Sequence, residues 1–261
     1  MHPSLFKTDH RPWPLPSQRW KWRQSWLDLA FLHYPVSIEE IKQLLPERIT
    51  IDTFGGKAWI GLVPFRMSGV MKRPFPNIPF FSSFLELNLR TYVVVDGKPG
   101  VWFFSLDTNS YPFVIGGRGI YNLPYHFAKC SIRKKDDWFE FKSHRKEKDF
   151  NFQASYRSVG TEFYAKQNSF EHWSTERYCL YSSTRKGTLH RVEVHHEQWP
   201  LQRAEVNIST NDIIRSTGIS VIDENPICHF SRGVNVISYG KERCQDSTGS
   251  SEELIQSLNH K

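Results

Sequence analysis

The chain has 261 residues, of which 39% are hydrophobic, 15% aromatic and 23% charged, with a formal net charge of +7. That composition excludes a disordered chain, and no apolar run approaches the 18 residues of a membrane-spanning helix. The basic balance favours anionic partners of some kind, and Trp and Phe numbering 9 and 19 point to a core or pocket built of rings. The four cysteines, Cys130, Cys179, Cys228 and Cys244, are widely spaced with no CxxC pair. This argues against a zinc finger or a disulfide scaffold and fits reduced thiols in the cytoplasm.

In chain order, residues 1–18 are Pro-rich, lack the apolar segment of a secretory signal, and read as an arm lying on the body. "RWKWRQSW" interleaves Arg19, Lys21 and Arg23 with Trp20 and Trp22. Rings beside cations would suit single-stranded nucleic acid, but a period-two strand with buried rings is the preferred reading. "WLDLAFLHYPV" continues as a strand. "SIEEIKQLLP" then carries a capping box, Ser37 with Glu40, and predicts a short helix that stops at Pro46.

Hairpins are expected after it. Gly55-Gly56 separates "ITIDTF" from "KAWIGLVPF", and Asp96-Gly97 follows "FLELNLRTYVVV" and precedes "VWFFSL". "RKKDDWFEFKSHRKEKD" reads as an exposed charged hairpin rather than a nucleic-acid patch. "WFEFKSH" is expected to pair with "FNFQASYRS", and "LHRVEVHH" with "AEVNIS"; "HFSRGVNVISY" is the last strand. Two helical stretches are expected, around 116–129 and in "SFEHWSTERYCLYS". The fold class is therefore mainly β (α+β), an antiparallel sheet that curls or closes, in one domain over 19–240 with a loose polar tail at 241–261.

On a strand, Glu86, Asn88, Arg90 and Tyr92 share one face, opposite Leu85, Leu87, Leu89 and Val93. An edge strand shows such a pattern. So does a central strand with its polar face in a cavity, and the bulky apolar "VWFFSL" beside it favours the second. Such a cavity would suit a small molecule bearing a carbonyl or carboxylate, an anion being the fitting kind. His190 and His196 fall on one strand face and His195 on the other, without a third ligand at telling spacing, so no metal is expected. "GGRG" is not a phosphate loop, and no GxSxG serine or activated cysteine is found. No cofactor is expected.

The blocks "DTFGGKAWIGLVPFRM", "SFLELNLRTYV", "GVWFFSLD", "LPYHFAKC", "TERYCLYS" and "HHEQWPLQRA" together resemble the YqjF-like bacterial proteins, within the acetoacetate decarboxylase-like superfamily. The resemblance implies a β-barrel or cone around a pocket, with peripheral helices. Over "GRGIYNLPYHFA" the decarboxylase pattern has two adjacent lysines after its proline, one forming the Schiff base and the other lowering its pKa. Gly117, Arg118, Ile120, Pro124 and Ala128 match that pattern, but Tyr125 and His126 stand where the lysines would be and Gly119 where a glutamate would be. Phenol and imidazole cannot condense with a ketone, so Schiff-base decarboxylation is excluded. Lys129, one helical turn past Tyr125 if the helix continued, is either a substitute amine within reach of the same carbonyl or, as preferred, a surface lysine.

The resemblance leaves Glu86 as a pocket carboxylate. Tyr125 and His126 are acid–base candidates or aromatic filler in the pocket wall. Arg118 is either a carboxylate holder or a pin for the loop. The expectation is a cytoplasmic small-molecule protein with Glu86, Tyr125 and His126 as catalytic candidates and Asn88, Arg90 and Arg118 as substrate holders. Its alternative is a non-catalytic binder or sensor. Neither membrane nor nucleic acid is the expected partner, and a homo-oligomer is compatible with the sequence.

Overall fold

In the computed structural model, residues 2–76 and 82–245 are described. In chain order the elements are β1 (Trp22–Val36), α1 (Ile38–Leu44), β2 (Thr50–Ile51), β3 (Ala58–Lys72), β4 (Phe84–Val95), β5 (Lys98–Thr108), α2 (Tyr111–Tyr121) and β6 (Tyr125–Phe127). They continue with β7 (Lys129–Lys135), β8 (Trp138–Arg145), β9 (Phe150–Phe163), α3 (Phe170–Thr175), β10 (Cys179–Ser183), β11 (Leu189–His196), β12 (Leu201–Asn211), α4 (Asp212–Arg215), β13 (Ile227–Ser238) and β14 (Glu242–Arg243).

The strands form one sheet in the order β14-β11-β10-β5-β4-β3-β1-β13-β12-β9-β8-β7, and an additional β11–β13 pairing turns its first part into a ring. The sheet is mixed rather than wholly antiparallel, because β10 and β6 both run parallel to β5. The ring comprises β1, β3, β4, β5, β10, β11 and β13, and the remaining long strands fold over its outer surface. There Leu32, Leu62, Leu87 and Leu89 pack with Phe141, Phe152 and Tyr156 in the main core. Strand β4 is thus central, with its leucines in that core and its polar face inside the ring.

Local chemistry accounts for most boundaries. Ser37 accepts from the backbone N–H groups of Glu39 and Glu40, the cap expected of α1. Glu40 does not complete the capping box; its carboxylate accepts from Ser220 N–H instead. Asp96 and Gly97, at φ 52° and 71°, make the tight β4–β5 turn. Gly55 and Gly56 also turn the chain, yet β2 pairs with β4 instead of β3.

Three further expectations are corrected, the first being the helical stretch in "SFEHWSTERYCLYS", of which only Phe170–Thr175 is helix while Cys179–Ser183 is strand β10. Residues 189–196 and 204–209 do not pair with each other: β11 joins β10, β13 and β14, whereas β12 joins β9 and β13. The link between them lacks a left-handed turn residue and buries Trp199, which keeps the two strands apart. The helix expected over 116–129 begins earlier, at Tyr111 with Pro112 in its first turn, and ends at Asn122 in the left-handed region. Pro124 then bars continuation, and Tyr125–Phe127 become strand.

The N-terminal arm is pinned by the Arg11–Glu193 ion pair at 3.0 Å, the Trp13 indole donating to Glu193, and a His195–Ser4 contact. Of the tail, Glu242–Arg243 pair with β11, and residues 246–261 lie outside the described residues. No helix among the described residues is long and apolar enough to cross a membrane.

Candidate functional site

A cavity of about 310 Å³ lies inside the ring, with α2 over it. Trp22, Trp26, Phe31, Phe65, Phe103 and Phe113 give it a largely aromatic wall. Strand β1 can supply both Trp26 and Phe31 because Asp28, at φ 55°, interrupts its pairing with β3 and switches which residues point inward. Of "RWKWRQSW", Trp22 and Trp26 are thus strand residues whose rings line the cavity, whereas Trp20 precedes the strand and lies under the Arg73 guanidinium.

Polar groups enter from a few places. Alternation along β4 puts Glu86, Asn88 and Arg90 on the cavity wall. Tyr125 of β6 is 7% exposed and donates from its phenol to Glu86 Oε2 at 2.9 Å. Its ring lies against Gly117 of α2: a Cβ there would sit 2.3 Å from Tyr125 Cδ2, so only glycine admits this approach.

His126 does not share the site. Consecutive strand residues face opposite ways, and its imidazole lies outside the cavity beside the Arg118 guanidinium, with Nδ1 3.4 Å from Nη2. Arg118 is outside as well, its Nε donating to the Tyr125 carbonyl at 2.5 Å, so it pins the α2–β6 corner. Lys129 is exposed on β7 and absent from the wall; the helical spacing that would have brought it near Tyr125 does not exist.

Burial pushes the Glu86 carboxyl up to about 7, with Asp107 adding to the rise and hydrogen bonds from Tyr125 and Asn88 opposing it. Burial and the neighbouring Glu86 carboxylate raise Tyr125 well above the ordinary phenol range. Around neutrality Glu86 therefore exchanges a proton readily while Tyr125 remains a donor. That pairing suits general acid–base work.

Sequence reasoning missed several polar wall residues, among them Thr175, Arg177 and His196. Thr175 ends α3, Arg177 lies in the α3–β10 link, and His196 ends β11. Burial takes His196 down to about 3, so it is neutral. Its Nδ1 lies 2.7 Å from the Glu197 carbonyl, which can only accept, and this assigns the ring proton to Nδ1 and leaves Nε2 as an acceptor. All three fall inside the quoted blocks "TERYCLYS" and "HHEQWPLQRA". Among the described residues no lysine lines the cavity, and no cluster of three or more His, Cys, Asp or Glu could hold a metal ion.

This arrangement has relatives. Residues 23–235 match the model of the DUF2071 family, described as an uncharacterized conserved protein. The chain is 38% identical over 224 residues to "Uncharacterized protein YqjF" of Bacillus subtilis (strain 168), covering 85% of this chain and 92% of that one. Among solved structures, acetoacetate decarboxylase from Legionella pneumophila superposes with a TM-score of 0.64 at 11% identity, over 91% of this chain and 93% of that chain. The enduracididine biosynthesis enzyme MppR, complexed with pyruvate, gives 0.63 at 10% identity, over 92% and 95%. An acetoacetate decarboxylase-like enzyme from Sphingomonas wittichii RW1 gives 0.60 at 10% identity, over 90% and 98%. Identities this low speak for the fold alone, whereas the family model and the Bacillus relative span most of the sequence: the chain belongs to the DUF2071 family of YqjF-like proteins, on an acetoacetate decarboxylase-like fold.

Proposed function

We propose that the protein binds a small oxo- or carboxylate-bearing molecule inside the ring and carries out acid–base chemistry on its carbonyl, without an imine. The observation that carries this reading is the buried Tyr125–Glu86 hydrogen bond on the wall of a cavity that no lysine among the described residues lines. Glu86, poised near neutrality, takes a proton from the carbon next to the carbonyl. Tyr125 turns its donor from Glu86 to the carbonyl oxygen, where negative charge develops. We place the protein in the cytoplasm on its four free cysteines, a usage suited to a reducing compartment.

The test has two arms on a panel of ketones and oxo acids. In the first, protein and compound are treated with borohydride and weighed intact; no mass gain is expected, and a stoichiometric gain overturns the imine-free mechanism. In the second, hydrogen–deuterium exchange next to the carbonyl is followed by NMR in heavy water. Catalysed exchange that falls by at least about a hundredfold in Glu86→Gln is expected, the ordinary scale of a general base. Ligand binding without any exchange overturns the enzyme reading in favour of a plain binder.

A further inference from the structure

We infer that Arg90 and Arg177 form a carboxylate subsite at the end of the cavity away from Glu86, so that the ligand is a monocarboxylate whose acid group is separated by an apolar body from the carbonyl facing Glu86 and Tyr125. This deepens the function proposed above and rests on it.

The spacing comes from β4. Arg90 follows Glu86 by four residues, which on an extended strand is about 13 Å between backbones. The Arg90 side chain does not fold back across that distance. Its guanidinium carbon lies 5.8 Å from the ring centres of both Phe31 and Tyr92, and Tyr92 is two residues further from Glu86. Arg177 comes to the same place from the α3–β10 link, its guanidinium carbon 5.1 Å from the Tyr92 ring. Two cations thus gather at one end of the cavity and the carboxyl–phenol pair sits at the other.

The charge count at that end selects the ligand. Arg177 carries its own counter-ion, Asp52, at 2.5 Å. Arg90 has none among the described residues: its guanidinium donates to the Ser174 carbonyl at 3.5 Å and lies beside the Tyr92 phenol, and neither group carries a compensating charge. Among the described residues a single positive charge is left uncompensated in a mostly apolar cavity, which fits one carboxylate better than a diacid or a phosphate. Donors are also left over. Arg90 Nε and Arg177 Nη2 are buried without a hydrogen-bond partner, and the Arg177 side chain is only 4% exposed. Buried guanidinium N–H groups in that state are waiting for an acceptor. Between the two ends the wall is mostly apolar, with Val101, Phe103, Leu106 and Phe65, and Asn88, whose Oδ1 is buried without a hydrogen-bond partner, is the one polar side chain that β4 adds there.

The separation carries a chemical consequence. In a 2- or 3-oxo acid the carboxylate and the carbonyl are neighbours, so such a molecule cannot satisfy both ends at once. A carboxylate held at Arg90 is a handle, not a leaving group.

The test is calorimetric titration of the full chain with four probes: 7-oxooctanoate, its primary amide, pyruvate and acetoacetate. The long acid is expected to bind at least about tenfold more tightly than its amide, the scale of one charge-assisted contact, and more tightly than either short acid. Arg90→Gln is expected to erase the preference of acid over amide, and Arg90→Lys to keep part of it. Because Arg177 also holds Asp52, its role is read in Arg177→Gln combined with Asp52→Asn, with melting curves to verify folding. Equal affinity for acid and amide, or a preference unmoved by Arg90→Gln, overturns the subsite. Pyruvate or acetoacetate binding as tightly as the long acid overturns the separation while leaving the oxo-acid site itself in place. Failure of all four probes to bind removes the site reading, and this inference with it.

Discussion

At the scale of single residues, Glu86 is the group on which most depends, and its environment makes a prediction independent of any ligand. The folded protein holds the Glu86 proton to about 7, whereas an exposed glutamate releases it near 4.5. Between those values the folded state binds more protons than the unfolded one, so stability falls as pH rises through the window and levels off above it. A shift of this size corresponds to at most about 3 kcal/mol, as each unit is worth about 1.4 kcal/mol. Buried His196 and His195, lowered to about 3 and about 4, act in the opposite sense and favour the fold as pH rises towards 6.5. Comparing variants cancels those shared terms. Glu86→Gln keeps an acceptor for Tyr125 but cannot ionise, so urea titrations should show it gaining on the parent chain from pH 5 to pH 8 by about 1–3 kcal/mol. Parallel pH profiles for the two proteins would mean that Glu86 is ionised throughout and is no proton carrier.

At the scale of elements, the corner between α2 and β6 decides which way Tyr125 faces. Arg118 holds that corner from outside the cavity, through the Tyr125 carbonyl. Arg118→Met should therefore cost about 1–2 kcal/mol in chemical denaturation, the range for a charged hydrogen bond, without erasing the preference for a carboxylate over its amide. If Arg118→Met instead abolishes carboxylate binding as Arg90→Gln does, the guanidinium reaches the ligand after all. The same corner shows where sequence reading succeeds and stops. The polar face of β4 is legible because alternation is a local rule and the neighbouring apolar strand marks β4 as central. The conversion of Tyr125–Phe127 into strand depends on a parallel partner, Leu106–Thr108, supplied by tertiary structure. Helix periodicity around 116–129 carries no trace of that partner. His126 followed from the same ambiguity: adjacent residues look equally placed until the strand assigns them to opposite sides. Arg177, in the link between α3 and β10, and His196, at the end of β11, were hidden because only the closed ring brings them inward.

At the scale of the whole molecule, the cavity exists because the ring closes, and its seams are short. Strand β11 meets β13 through Val194, His195 and His196, and β10 meets β5 through Leu180 and Tyr181. The second seam is possible because Gly100 of β5 has no side chain: a Cβ there would lie 2.5 Å from the Cys179 carbonyl oxygen and from the Tyr181 ring. Both neighbours are buried, and one is backbone, so neither can yield cheaply. Gly100→Ala is thus expected to push β10 off β5 and destabilise the fold by about 1–3 kcal/mol, the usual scale of overpacking. Gly116 of α2 provides the contrast, because nothing lies within 4 Å of a Cβ built there. Gly116→Ala should be neutral or stabilising by up to about 1 kcal/mol through helix propensity. Hydrogen exchange separates a local seam from a general loss: in Gly100→Ala the amides of β10 should lose protection before those pairing β1 with β3 and β13. Uniform loss across all these strands would show that the ring opens only by global unfolding. A seam that yields first would instead make β10, which contributes Leu180 and Ser182 to the wall, the part of the ring whose movement changes the cavity.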